Sequence, residues 1–340
     1  MTKPEAMISF SDEGTTEPVA PGAEPPRSPS PVRAALVARA PLLFLVALLA
    51  VAIMVTPEFG TAANVKAILA NAAIIGIVAV GTTFITLSGN MVSLAVSQSG
   101  MLAAVVFLSC VGHGWNQVLA VVVVIALLVA VGIAQGGLVA AGLNPIVVTL
   151  AAGAIVLGVV AQLTGGSTIT SHGADIGWIA STPLGIPLSV YVFAAVTGLA
   201  TVLTGKTVLG RRLTLLGANR SSADFSGLPI ARTTIWAFVL LSVGIALAGI
   251  LVGGGLLSAN LDTLNTLSID VAAAVLVGGT AIQGGDGSPL RSAVGACVIA
   301  TANNVMLLNG FSLGVRQVGS GLTVLIVVVM LALQRGRTVR

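Results

Sequence analysis

The sequence predicts an all-α polytopic membrane protein of about ten transmembrane helices, preceded by a disordered N-terminal tail. Composition is the first reason: 8% of the 340 residues are charged, 56% are hydrophobic, and mean hydropathy is +1.07, far from the mix of a soluble domain. The second is a gap. Between Lys66 and Asp175 there is no Asp, Glu, Lys or Arg, a length that several bilayer crossings of roughly 20 residues would need. The third is the set of apolar windows bounded by Gly, Pro, Asn or charge, each long enough to be a span.

The chain opens with a different polymer. Residues 1–33 include TEPVAPGAEPPRSPSPVR, rich in Pro, Ser and acids and without apolar periodicity, which predicts a disordered tail. Its polar stretch is too long for a secretory signal. Residues 34–340 form the transmembrane domain, with windows near 35–55, 64–87, 91–112, 116–140, 145–164, 186–204, 233–253, 268–284, 290–309 and 317–334. Several contain glycines, so that some spans are candidates for broken or re-entrant segments.

Lys and Arg favour the cytoplasmic ends of spans. They gather at Arg27, Arg33 and Arg39, at Lys206, Arg211, Arg212, Arg220 and Arg232, and at Arg335, Arg337 and Arg340. Six windows separate the first two clusters and four the last two, so ten spans with both termini inside satisfy the rule. Spans two to five and seven to ten then run in opposite directions. That permits two inverted four-helix halves, an architecture that places a site near the midplane.

Several function classes fall away. The formal charge of +4 is spread between hydrophobic spans and makes no basic face for nucleic acid. Cys110 and Cys297 lie in apolar runs without a CxxC, as buried small residues do. His113 and His172 lie in short predicted loops, and no metal site is expected from those two alone. The stretch GGTAIQGGDGSP, Gly278 to Pro289, has the two glycines of a phosphate-binding loop but Gly285 and Asp286 where that loop needs Lys and Ser or Thr. It reads instead as a turn at a membrane end, with Ser288 or Asp286 as cap and Pro289 at a first helical position.

The longest interior loop, about 205–232, holds GRRLTLLGANRSSADFSGLPIAR. Asn219 or Ser221 can cap a helix start, Gly227 can stop it and Pro229 prevents continuation. The result is a helix of about two turns carrying Asp224 and Phe225 on the cytoplasmic side. GxxxG spacings at Gly132 and Gly136, and at Gly249 and Gly253, read as helix-packing sites. Asp262 and Asp270, at the start of the eighth span, read as ordinary outer-interface residues.

Three stretches resemble a known family, the membrane permeases of ribose, xylose, arabinose and galactose ABC importers. Gly210, Arg211, Gly217, Asn219, Ala223, Ser226 and Gly227 fall in register with that family's cytoplasmic loop, GRxxYAIGGNxxAAxxSGI; Thr214, Ser222 and Leu228 depart from it. Asn144 to Leu150 is similar to PxFIxTL, with Leu157 where the family often has Arg. IDVAAAVLVGGTAIQGGDGS and ATANNVMLL, within Ser268 to Gly310, are similar to IAAVVIGGTSLxGGxGS and its paired asparagines. One departure is Ser93, within SGNMVSLAVSQSG, where the family's GGIDLSVGS places an Asp.

The resemblance implies a permease subunit in a bacterial inner membrane, without enzymatic activity of its own. It implies an ABC ATPase subunit holding ATP and Mg, an extracytoplasmic sugar-binding protein and a permease homodimer. ATPase coupling falls to Gly217, Asn219, Arg220, Ser221, Asp224, Phe225 and Gly227. A sugar pathway needs hydrogen-bonding groups without fixed ions, and the spans supply Asn90, Ser93, Ser97, Gln98, Thr149, Gln162, Asn303 and Asn304. Such residues also tie helices together, at roughly 0.6 to 2 kcal/mol each. Within the ABC class, permeases for nucleosides or branched-chain amino acids are the nearest alternatives. An ion-coupled transporter is the competing class; spans two to five contain no Asp, Glu or His to relay protons.

Overall fold

Helices account for nearly all of the regular structure in the computed structural model, which describes residues 31–56, 58–171, 176–281, 283–312, 314–322 and 325. In chain order they are α1 (Pro31–Val55), α2 (Ala62–Leu87), α3 (Val96–Gly112), α4 (Gln117–Ala140), α5 (Pro145–Thr164), α6 (Leu188–Lys206), α7 (Val208–Ala218), α8 (Arg220–Phe225), α9 (Ile230–Leu256), α10 (Leu267–Val277) and α11 (Pro289–Leu308), and residues 314–322 are also helical. Six of them, α2, α4, α5, α6, α9 and α11, are long and apolar enough to cross a membrane. The expected tail, residues 1–33, falls almost wholly outside the described residues, as do His172 and most of the last window.

Two windows are cut short. The third opens at residue 91 in sequence, but its helix begins only at Val96; the eighth reaches 284, but its helix stops at Val277. Both helices are preceded by non-helical chain, residues 88–95 and 257–266, the second containing a two-residue strand, β2 (Ser258–Ala259), paired antiparallel with β1 (Ile169–Thr170). Neither Ala95 nor Thr266, at the cap positions, makes a side-chain capping bond. The two helices cap each other instead. The Ser97 amide donates to the Ser268 hydroxyl at 2.9 Å, and the Ser268 amide donates to the Ser97 hydroxyl at 2.9 Å. The two hydroxyls are themselves 2.9 Å apart.

The interior is built on small residues. Lipid tails are as apolar as leucine, so helices associate in a membrane through close van der Waals packing rather than through exclusion of water. α2 crosses α9 where a Cβ on Gly81 would lie 3.2 Å from the Leu241 Cα and one on Gly244 would lie 3.1 Å from the Ile77 carbonyl oxygen. Gly132 and Gly136 of α4 admit Phe238 and Ser242 of α9; Gly249 and Gly253 of α9 admit Ala103 and Ala104 of α3. Both GxxxG pairs are packing sites, as their spacing implied. Apolar side chains on the opposite faces, among them Val118, Val122, Ile155, Leu163 and Leu199, are exposed.

The packing repeats. α4 lies along α9 as α11 lies along α2, α3 meets α9 as α10 meets α2, and α3 packs on α4 as α10 packs on α11. The exchange of α2 with α9, α3 with α10 and α4 with α11 therefore maps these contacts onto one another, and Ser97 onto Ser268.

Removing either serine hydroxyl leaves one amide without its acceptor. Ser97→Ala and Ser268→Ala are each expected to cost about 1 kcal/mol. Because the hydroxyls also touch each other, the double variant should fall short of the sum by about 0.5 kcal/mol or more. Unfolding in detergent micelles measures this, and strict additivity would deny the hydroxyl contact.

Candidate functional site

The cytoplasmic-loop residues come together as a corner. Thr207 ends α6 and starts α7, its hydroxyl accepting from the Gly210 amide at 3.3 Å. α7 was not expected as a helix; its signal was the apolar stripe Leu209, Leu213 and Leu216 opposite Arg211 and Arg212. Leu213 and Leu216 are buried and both arginines are exposed.

At the end of α7 the backbone meets two other turns. A Cβ on Gly217 would lie 2.0 Å from the Leu87 carbonyl oxygen, 2.5 Å from the Gly285 nitrogen and 2.9 Å from the Gly89 nitrogen. The Gly285 amide donates to that Leu87 carbonyl at 3.2 Å. Gly89 and Gly284 both have positive φ, and a Cβ on Gly284 would lie 2.5 Å from the Gly89 Cα. Three glycine turns, from the ends of α2, α7 and α10, thus touch through main chain alone.

From this junction α8 projects outward. Asn219 caps it, accepting from the Ser222 amide at 3.0 Å, and Ala223 is its one buried side chain. It ends in a Schellman motif: the Leu228 amide bonds the Ala223 carbonyl, the Gly227 amide bonds the Asp224 carbonyl, and Gly227 has φ +69. Arg220, Ser221 and Asp224 are exposed, and Phe225 is 93% exposed. The tip of this tightly capped helix thus carries an aromatic ring in the open.

The glycine stretch forms the turn expected of it. Gly279, Gly284 and Gly285 have positive φ, Pro289 starts α11, and Asp286 is paired with Arg291 at 2.6 Å. Ser288 occupies the cap position without a side-chain capping bond.

The proposed pathway residues separate. Asn90 bonds the Ser88 hydroxyl at 2.9 Å and Ser93 accepts from the Ala95 amide at 3.3 Å, both buried beneath the corner. Ser97 is committed to the α10 junction. The buried Thr149 bonds its own helix at Ile146, and Gln98, beside Gly153 of α5, has a buried Oε1 without a partner. Asn304 donates to Asn64 at 2.7 Å, tying α11 to α2, while Asn303 donates to Asp270 at 3.1 Å. Asp262 is exposed, as a span-end residue should be, but Asp270 is only 6% exposed. Its place at the head of a helix that starts inside the protein, not at the rim, accounts for the difference. Cys110 and Cys297 are unpaired, and among the described residues no cluster could hold a metal.

A family model described as the permease component of branched-chain amino acid transport systems matches residues 64–333. The chain belongs to that permease family. It is 30% identical to the ribose import permease protein RbsC of Escherichia coli K12 over 295 residues, covering 85% of this chain and 92% of the relative. The ribose import permease protein RbsC of Bacillus subtilis 168 is also 30% identical, over 85% and 91% of the two chains. The xylose transport system permease protein XylH of Escherichia coli K12 is 25% identical over 72% and 79%. No solved structure matches the permease.

A methyl group at the junction has nowhere to go. Gly217→Ala is expected to lower stability by about 1–3 kcal/mol, the usual cost of overpacking. Gly205→Ala, where a Cβ would meet nothing within 4 Å, should be neutral or gain up to about 1 kcal/mol. Thermal unfolding of the two purified variants checks the contrast.

Proposed function

We propose that the permease is the membrane subunit of an ATP-binding-cassette importer that passes a monosaccharide of the ribose or xylose kind, delivered by an extracytoplasmic binding protein. The observation that carries this is the corner. An exposed helix, α8, stands on a main-chain junction with the ends of α2 and α10, so that force applied to α8 reaches both helices without a flexible side chain between. The ribose and xylose permeases matched over most of their length support the cargo class.

In this reading the ATPase docks on Arg220, Ser221, Asp224 and Phe225, while Gly217, Asn219 and Gly227 hold the helix in place. ATP and Mg belong to that separate subunit, and the permease works as a homodimer. Ten crossings with both termini cytoplasmic put the corner inside and the β1–β2 pair outside. α10 then rises about 16 Å from its junction with α3, half of a core of roughly 30 Å, and the repeated packing supports two inverted halves. The family description names branched-chain amino acids, and that cargo is the second reading.

Phe225→Ser should weaken capture of the partner ATPase at least tenfold, about 1.4 kcal/mol. Folding stability should stay within about 0.5 kcal/mol, as for other surface changes. Pull-down alongside thermal unfolding tests this, and undiminished capture removes the docking assignment. In proteoliposomes bearing the assembled complex, uptake of labelled D-ribose, D-xylose or D-galactose should require ATP. Uptake without ATP would overturn the importer class, and uptake of leucine alone would select the second cargo.

A further inference from the structure

Asp270 does not stand alone. It lines a cavity of ≈ 120 Å³ together with Asn71, Asn303, Arg316, Gln317 and Ser320, so α2, α10, α11 and the 314–322 helix all contribute polar groups. Asn303 Nδ2 donates to the Asp270 carboxylate at 3.1 Å. The Ser320 hydroxyl lies 3.1 Å from Asn303 Oδ1 and 3.5 Å from the same carboxylate. Charged side chains in a membrane bundle are costly and face cavities that conduct something.

The arrangement of charge identifies what fits. Arg316 faces this cavity with Asp270, yet the two form no ion pair, and the Arg316 Nε is buried without a hydrogen-bond partner. A guest that accepts a hydrogen bond from the guanidinium and donates one to the carboxylate satisfies both groups. A simple anion or cation meets a like charge, an aliphatic group satisfies neither, and an amino-acid zwitterion, the occupant under the second cargo, would set its carboxylate on Arg316 and its ammonium on Asp270. A hydroxyl does both at once, and neighbouring hydroxyls on one molecule could engage Arg316, Asp270 and the amides of Asn303 and Gln317 together. Asn71 also lines a larger cavity of ≈ 520 Å³ between α2, α6 and α9, so the two cavities share a wall.

We infer that the cavity bounded by Asp270, Asn303 and Arg316 is a binding site for a neutral polyhydroxylated molecule, a resting point for the cargo inside each permease. The site rests on the sugar-importer reading, and the test separates the two. Uptake is first measured in proteoliposomes carrying the complete transporter, with D-ribose, D-xylose and D-galactose. Import of none of them by the parent protein defeats the sugar-importer reading itself.

Given import by the parent, Asp270→Asn and Arg316→Gln should each lower uptake tenfold or more while complex assembly and ATP hydrolysis stimulated by the loaded binding protein persist. A second readout distinguishes binding from architecture. In a background of Cys110→Ser and Cys297→Ser, Asn71→Cys should react with a thiol reagent several-fold more slowly in the presence of the imported sugar, and Arg316→Gln should abolish that protection. Uptake at the parent rate in both variants, or labelling that no sugar slows, overturns the site; the second result means that the cavity holds water only.

Discussion

Two helices that begin within the packed interior leave their first amides in need of acceptors, and a buried amide left unpaired costs about 1–3 kcal/mol. The arrangement of this permease follows from how α3 and α10 meet that constraint. Ser97 and Ser268 each accept the other's amide, so neither helix can start where it does without its counterpart 171 residues away. Once that pair is fixed, the chain leading into each helix must run non-helically through the interior. α2 and α9 lie between the two repeated units, and their own crossing at Gly81 and Gly244 brings them close together.

The same constraint explains why main chain, rather than side chains, makes the decisive contacts. Apolar side chains gain little from meeting each other when lipid is the alternative, so cohesion comes from close approach, and close approach from glycine and alanine. At the glycine corner this reaches its limit, with Gly89, Gly217, Gly284 and Gly285 in main-chain contact. A junction of that kind has no side-chain rotamers to absorb displacement.

Features encoded locally were legible in the sequence. Apolar windows found the helices because polar or glycine breaks bound them, and four-residue glycine spacing found packing faces because it marks one side of a helix. The cap at Asn219 and the stop at Gly227 needed only their neighbours. What required distant partners was not legible. Nothing near Ser97 announces Ser268, so its hydroxyl read as part of a pathway. Asn303 and Asn304 read as a pair, yet adjacent helical positions point about 100° apart, one towards Asp270 and the other towards Asn64. Asp270 sat at a window end and read as a rim charge, because position along a span says nothing about burial when a helix starts within the protein. α7 was hidden by the charge that marked its loop, although its leucine stripe was present.

The corner divides labour between two surfaces of a few residues. Its inner side is glycine backbone, where an added Cβ would meet neighbouring main chain; its outer side, Arg220 to Phe225, is exposed apart from Ala223. A plug with a tightly packed shank and an open face lets the side chains of that face change without disturbing the packed core of the permease.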